Sequence, residues 1–194
     1  GANLTNANLS KANLSNSRLN NKIIFNHTDI SGASFSFAQM GEITINSTTK
    51  CNGNIDFSYA NLYDAHIVDT TLKSANFRGC EMPDAEINYC DLSSSDFTGS
   101  TLTGSKFIKS KLINVLFDSS ILCDVDFSDS DLTNSSIADT DFRNVLLSRT
   151  NLKNIQNIKK IKKLQNLNIS SSLNASSDWL KINTINQTVP SEPK

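Results

Sequence analysis

At 194 residues the chain can hold one domain with a complete core but not two large ones, and its formal net charge is −1. Hydrophobic residues make up 38%, and no run of 18 apolar residues occurs, which excludes a membrane-spanning helix; the abundant Asn, Ser, Asp and Thr could suggest disorder, but their ordering argues otherwise. The four cysteines, Cys51, Cys80, Cys90 and Cys123, show neither CxxC spacing nor a neighbouring histidine cluster, so free thiols in a reducing compartment are expected, with no metal, cofactor or disulfide framework.

From the N-terminus, the runs Ala2-Asn3-Leu4, Ala7-Asn8-Leu9 and Ala12-Asn13-Leu14 set a five-residue spacing, and Leu4, Leu9, Leu14, Leu19 and Ile24 keep one register. Phe25, Ile30, Phe35, Met40 and Ile45 continue one residue later, which predicts a one-residue bulge near residues 20–22. Ile45 and Phe57 are 12 residues apart, not a multiple of five, so 46–54 is expected as a protruding loop. Loops on rigid scaffolds carry function disproportionately, which makes Lys50, Cys51, Asn52 and Gly53 candidate partner-binding residues.

The regular stretch follows. Every fifth residue from Phe57 to Leu152 is large and apolar, through twenty successive positions. Two residues before each, the side chain is usually small (Ala60, Ala65, Ala75, Cys80, Ser95, Ser105), and the residue between the two is typically Asn or Asp, as in Ala60-Asn61-Leu62 and Ser130-Asp131-Leu132. Five matches neither the helical period of 3.6 nor the strand period of 2, so the chain must turn a corner every five residues, burying one large and one small side chain per segment. Residues 20 apart repeat their chemistry: one column reads Phe57, Phe77, Phe97, Phe117, Ile137 and another Leu72, Leu92, Leu112, Leu132, Leu152. Outward positions alternate in sign on the same period, as in Glu86, Lys106, Asp126 and Asp91, Lys111, Asp131, which suits adjacent parallel strands.

The A-(D/N)-L-x-x runs resemble the motif of the pentapeptide-repeat family over about residues 1 to 155. That resemblance implies an all-β fold: a right-handed quadrilateral β-helix with four pentapeptides per coil and stacked parallel strands. Residues 1–155 are accordingly expected to form the β-helix, with 156–194 as a C-terminal cap and tail or linker.

Past Leu152 the five-residue pattern fails. Ile155, Ile158, Ile161, Leu164 and Leu167 recur every three residues with lysines between them, which predicts a short amphipathic helix over 155–166 covering the end of the solenoid. The +4 charge of residues 156–194 opposes the −5 of residues 1–155, so the tail is expected to fold back, with Trp179 as its anchor and a candidate partner-binding residue. A homodimer through this element is a further expectation.

No catalytic constellation is visible. The two histidines, His27 and His66, stand apart, the stacked serines read as packing residues, and no GxGxxG or Walker-type loop occurs. Two functional readings remain. One is a non-catalytic protein-interaction scaffold, cytoplasmic or delivered into a host cell. It draws on the resemblance to repeat domains of bacterial effectors, and on a first repeat that starts at residue 2, as in a domain continuing in a longer chain. The other is a DNA mimic that binds a topoisomerase, like the family's quinolone-resistance members. Residues 118–141 hold seven acids and no base, which singles out Asp118, Asp124 and Asp129 for either reading. Against mimicry, duplex DNA of the rod's length, about 34 Å, would carry about 20 charges, far more than the net −5 here. The expected partner is another protein, with no nucleic acid bound directly.

Overall fold

The corner is where this sequence specifies its structure. At many bends an Asn or Asp one residue before the large apolar position accepts, through Oδ1, the backbone N–H two residues on: Ser58 donates to Asp56 at 3.0 Å, Thr98 to Asp96 at 2.8 Å and Arg78 to Asn76 at 3.1 Å. The next residue is left-handed, and Asn, Asp, Ser, Lys, Tyr or Gly most often fills it, as at Tyr59 (φ 56°), Asp129 (φ 62°) and Gly79 (φ 65°). A backbone bond then closes the turn, for example Ala60 N–H to Phe57 O at 3.1 Å. Where a repeat carries it, this Asn or Asp is thus a turn-forming residue.

The computed structural model describes residues 4–19, 22–169, 171–179 and 181. Four columns of parallel bridges run along it, one for each side of a four-sided coil. Face A carries Asn8, Asp29, Lys50, Thr71, Asp91, Lys111, Asp131, Asn151 and Leu173; face B runs from Asn13 through Asp56 and Asp96 to Gln156. Face C runs from Arg18 through Gln39, Asn61 and Ile121 to Lys163, and face D from Ile24 through Thr44, His66 and Lys106 to Asn168. Among the described residues four segments are long enough to be strands, β1 (Thr44–Ile45), β2 (His66–Ile67), β3 (Asp141–Arg143) and β4 (Lys163–Gln165), because each side is only a few residues wide.

Inside, like stacks on like. Phe35, Phe57, Phe77, Phe97 and Phe117 lie in one column with neighbouring centroids 4.6–5.4 Å apart and planes within 20° of parallel. The small slots join adjacent coils: Ser95 Oγ donates to Leu72 O at 2.9 Å, Ser110 Oγ to Ile87 O at 2.9 Å and Thr150 Oγ1 to Phe127 O at 2.8 Å. A serine there is fully buried and satisfied, which explains why serine alternates with alanine in these slots.

Three expectations change. Residues 46–54 do not protrude. Ile45 to Cys51 and Cys51 to Phe57 are steps of six, so two corners each take one extra residue and the segment stays in the coil. Lys50 bridges Asp29, Thr49 is buried with Oγ1 on Phe25 O at 2.8 Å, and Ile55 is buried. The expected helix over 155–166 is instead a 3-10 turn, Ile158–Lys160, followed by β4, which pairs in parallel with β3. The spacing by threes arose from inward slots on either side of one step of seven, Gln156 to Lys163, and the coil runs on to Leu173. Finally, Ile24 is 46% exposed while Ile23 and Phe25 are buried, so the register changes before Ile24. The bulge assigned to 20–22 falls partly, and the tail beyond 181 wholly, outside the described residues.

Candidate functional site

The six-residue steps have a consequence on face A. Elsewhere on this face each coil is bridged to the next, but among the described residues no bridge joins Lys50 to Thr71. By the register of the neighbouring rungs (Asp91 N–H to Thr70 O, Leu72 N–H to Asp91 O), Thr71 N–H should reach Thr49 O and Cys51 N–H should reach Thr71 O. Among the described residues neither bond forms. The Thr49 carbonyl instead accepts the Cys51 thiol at 3.6 Å, and Thr70 Oγ1 lies 3.9 Å from the same sulfur.

A groove of about 480 Å³ opens over this break. Its near end holds Ser47, Thr49, Lys50, Cys51 and Asn52; Thr70, Thr71 and Cys90 lie along it; Asp69, Tyr89 and Lys109 stand on the D–A corner and Asp91 and Lys111 on face A. Lys50 is drawn to Asp29 at 2.7 Å, which with the Ser31 hydroxyl and amide lowers the Asp29 pKa to about 2. Asp91 is held by Lys73 at 3.2 Å and by the Ser93 hydroxyl at 2.7 Å. Lys109 sits over the Tyr89 ring, 5.5 Å from its centroid.

A second surface feature flanks face C. Phe37 and Tyr59, on the B–C corner, are 53% and 51% exposed and stack at 4.9 Å with planes 11° apart. The Tyr59 ring occupies the space over Gly79, where a Cβ would come within 2.5 Å of it. Across the face, Tyr63 covers Gly41 in the same manner, and its hydroxyl donates to Glu42 at 2.9 Å, which itself meets Lys22 at 3.3 Å. Gln39 and Asn61 lie between the two sets of rings.

Of the residues singled out from sequence, Lys50, Cys51 and Asn52 line the groove, while Gly53 (φ 75°) is exposed at the adjoining corner. The acids lie on later coils and are already engaged. Asp118 accepts from Ser136 Oγ at 2.5 Å and Ala138 N–H at 2.7 Å; Asp124 accepts from Asn144 at 2.8 Å and Cys123 at 3.0 Å; Asp129 is held by Arg149 through two bonds of 2.5 and 2.7 Å. Trp179, expected at a partner surface, is 1% exposed and meets Phe142 with centroids 5.9 Å apart. Tyr89, Lys109, Thr71 and the three exposed rings were missed; reading 12 residues as two steps of six would have placed Lys50 above Thr71.

Nothing in the thiols suggests chemistry. Burial pushes Cys51 up to about 11 and Cys90 to about 12, and raises Cys80 further still. Burial and then the Asp124 carboxylate raise Cys123 to about 11. A reactive cysteine needs the opposite shift. Among the described residues no cluster of His, Cys, Asp and Glu could hold a metal ion, and no helix is long and apolar enough to cross a membrane.

The repeat is also recognised by family profiles: one described as a pentapeptide repeat region matches residues 82–157, and one described as pentapeptide repeats (8 copies) matches 1–21 and 55–93. The chain belongs to the pentapeptide-repeat family. Among solved structures, this pentapeptide-repeat chain is similar to a trypsin-treated variant of QnrB1, a plasmid-mediated fluoroquinolone resistance protein. Identity is 17%, the TM-score is 0.53, and the match covers 82% of this chain and 75% of that one. It also matches HetL, involved in heterocyst differentiation regulation in the cyanobacterium Nostoc sp. strain PCC 7120, at 16% identity and a TM-score of 0.25 over 88% of each chain. No curated protein matches the chain by sequence.

Proposed function

We propose that this chain is a non-catalytic protein-interaction module: a right-handed, four-sided rod that presents rigid side chains to another protein. The observation that carries this reading is the exposed aromatic set Phe37, Tyr59 and Tyr63, two of its rings seated over glycines. Tyr and Phe are enriched in interface cores, and rings already fixed in place lose little entropy on binding. Raised thiol pKa values and the lack of converging catalytic groups among the described residues support binding over catalysis. The finer reading, the repeat domain of a bacterial effector, rests on the family resemblance and is addressed by whether the gene continues past residue 194.

The test places a photo-crosslinking residue at Tyr59 and, as control, at Lys106. Discrete adducts at Tyr59 that disappear with Phe37→Ser and Tyr63→Ser are the expected result, and equal labelling at both sites would overturn the reading. The rival, topoisomerase binding by DNA mimicry, loses support from the acid-rich stretch. There Asp129 is paired with Arg149, Asp139 with Lys162 at 3.8 Å, and Asp141 with Arg143 and Lys163. A gyrase supercoiling assay with the purified chain is expected to show neither inhibition nor protection from a quinolone.

A further inference from the structure

The break in the face A ladder has chemistry of its own, separate from the aromatic surface. Backbone N–H groups in a parallel ladder point along the coil axis, so the amides of Cys51 and Thr71 are directed from opposite rims into the same gap. Among the described residues neither has a hydrogen bond, and an unpaired amide calls for an acceptor.

The charges around the gap point the same way. The carboxylates next to Lys111 on face A are both engaged elsewhere: Asp91 by Lys73 and Ser93, and Asp131 by Thr133 at 2.5 Å and Asn151 at 3.0 Å. The carboxylate beyond Lys109 on its corner, Asp129, is taken by Arg149. Among the described residues neither Lys111 nor Lys109 forms an ion pair; Lys109 sits over the Tyr89 ring and acts on Asp129 only through its field, behind the Arg149 guanidinium. Asp69 is the opposing charge, exposed on the corner. The groove therefore offers two ammonium groups and two amide donors, set against the Thr71 carbonyl and the thiol-engaged Thr49 carbonyl of the same two missing bonds, and its volume lies in the range of small-ligand sites.

We propose that this groove binds an oxyanion, the phosphate or carboxylate group of a small ligand, held by the Cys51 and Thr71 amides and the Lys109 and Lys111 ammonium groups. Charge-assisted donors from backbone and lysine form the standard chemistry for such a group, and here the lysines would reach it from the later coils that line the same groove. Asp69 limits the site to a single anionic group, since a second would meet it.

The test is a titration of the ¹⁵N-labelled full chain with sodium phosphate and, separately, with sodium acetate, at fixed ionic strength and pH. Saturable shifts at the Cys51 and Thr71 amides are expected. Lys111→Gln and Lys109→Gln should each weaken binding about fivefold at unchanged melting temperature, and Asp69→Asn should tighten it. Lys153→Gln, on the exposed surface away from the groove, should change nothing. A response to phosphate alone identifies a tetrahedral ligand, and a response to acetate a carboxylate. Shifts that grow linearly with either salt, or that persist undiminished in both lysine variants, would overturn the site.

Discussion

Each bend rests on one left-handed residue, and the cost of that conformation can be separated from the cost of filling space. Gly79 and Gly99 are consecutive in the same corner column, at φ 65° and 71°, but only Gly79 lies under a ring. Gly99→Ala meets nothing within 4 Å and should lose only the conformational advantage of glycine, about 1 kcal/mol. Gly79→Ala should lose more and also displace Tyr59 from Phe37. Paired chemical denaturation gives the two costs, and loss of ring-current shifts at Phe37 in the Gly79 variant alone reports the displacement. Equal behaviour of the two variants would mean that the Tyr59 ring is not fixed by its seat. Core positions should be far less forgiving. Leu112 is fully buried between Leu92 and Leu132, so Leu112→Arg should cost about 4 kcal/mol or more by burying an unpaired charge. Lys106→Ala breaks one exposed pair with Glu86 and should cost under about 1 kcal/mol. A melting point unchanged by Leu112→Arg would contradict the stacked core.

At the scale of coils, the regular stretch was legible because its signal is redundant: a period of five and a period of twenty agree at every position from Phe57 to Leu152. Where steps lengthen, that redundancy disappears. Between Ile45 and Phe57 the inward slot falls to Cys51, which is small and not distinctively apolar, so two short insertions read as one loop. After Leu152, a single step of seven, from Gln156 to Lys163, brought Ile155, Ile158 and Leu164 into a spacing that imitates a helix. The groove was half legible for the same reason. Lys50, Cys51 and Asn52 were found as an irregularity, but their partners Tyr89, Lys109 and Lys111 lie on later coils and look like ordinary ladder residues. The closing turn carries its own prediction. Trp179 is fully buried against Phe142, while Asp178 next to it reaches Lys159 at 3.5 Å. Trp179→Ala should cost about 3–5 kcal/mol through the cavity it leaves. It should also uncover the floor of the last coil and promote end-to-end association, visible by size-exclusion chromatography. A stable, monomeric variant would show that the ring covers nothing essential.

Along the whole rod the outward side chains form ladders in which carboxylates and cations from successive coils meet, so its stability should carry an acid signature. Lys50 and Ser31 lower Asp29 to about 2, while Lys106 lowers Glu86, Arg149 lowers Asp129, and Arg143 on the same strand, with Lys163 on the next coil, lowers Asp141. A carboxylate whose folded pKa lies below its unfolded value near 4 stabilises the fold while it is ionised in both states. That contribution is fully present above about pH 4 and is lost as the pH falls through the lowered folded values. Each pair is exposed and individually weak, but they recur on successive coils, and a repeat architecture adds the terms of neighbouring coils. The urea midpoint should therefore be nearly flat from pH 7 to about pH 5 and then fall steeply toward about pH 2. The core stacks, which carry no charge, would hold a flat profile throughout if they alone set the stability. Salt separates the two contributions: near 1 M the Debye length is about 3 Å, so the acid-dependent part should shrink while hydrophobic stacking persists. A midpoint that stays level down to about pH 2, or an acid drop that high salt leaves untouched, would show that the charge ladders decorate the rod without stabilising it.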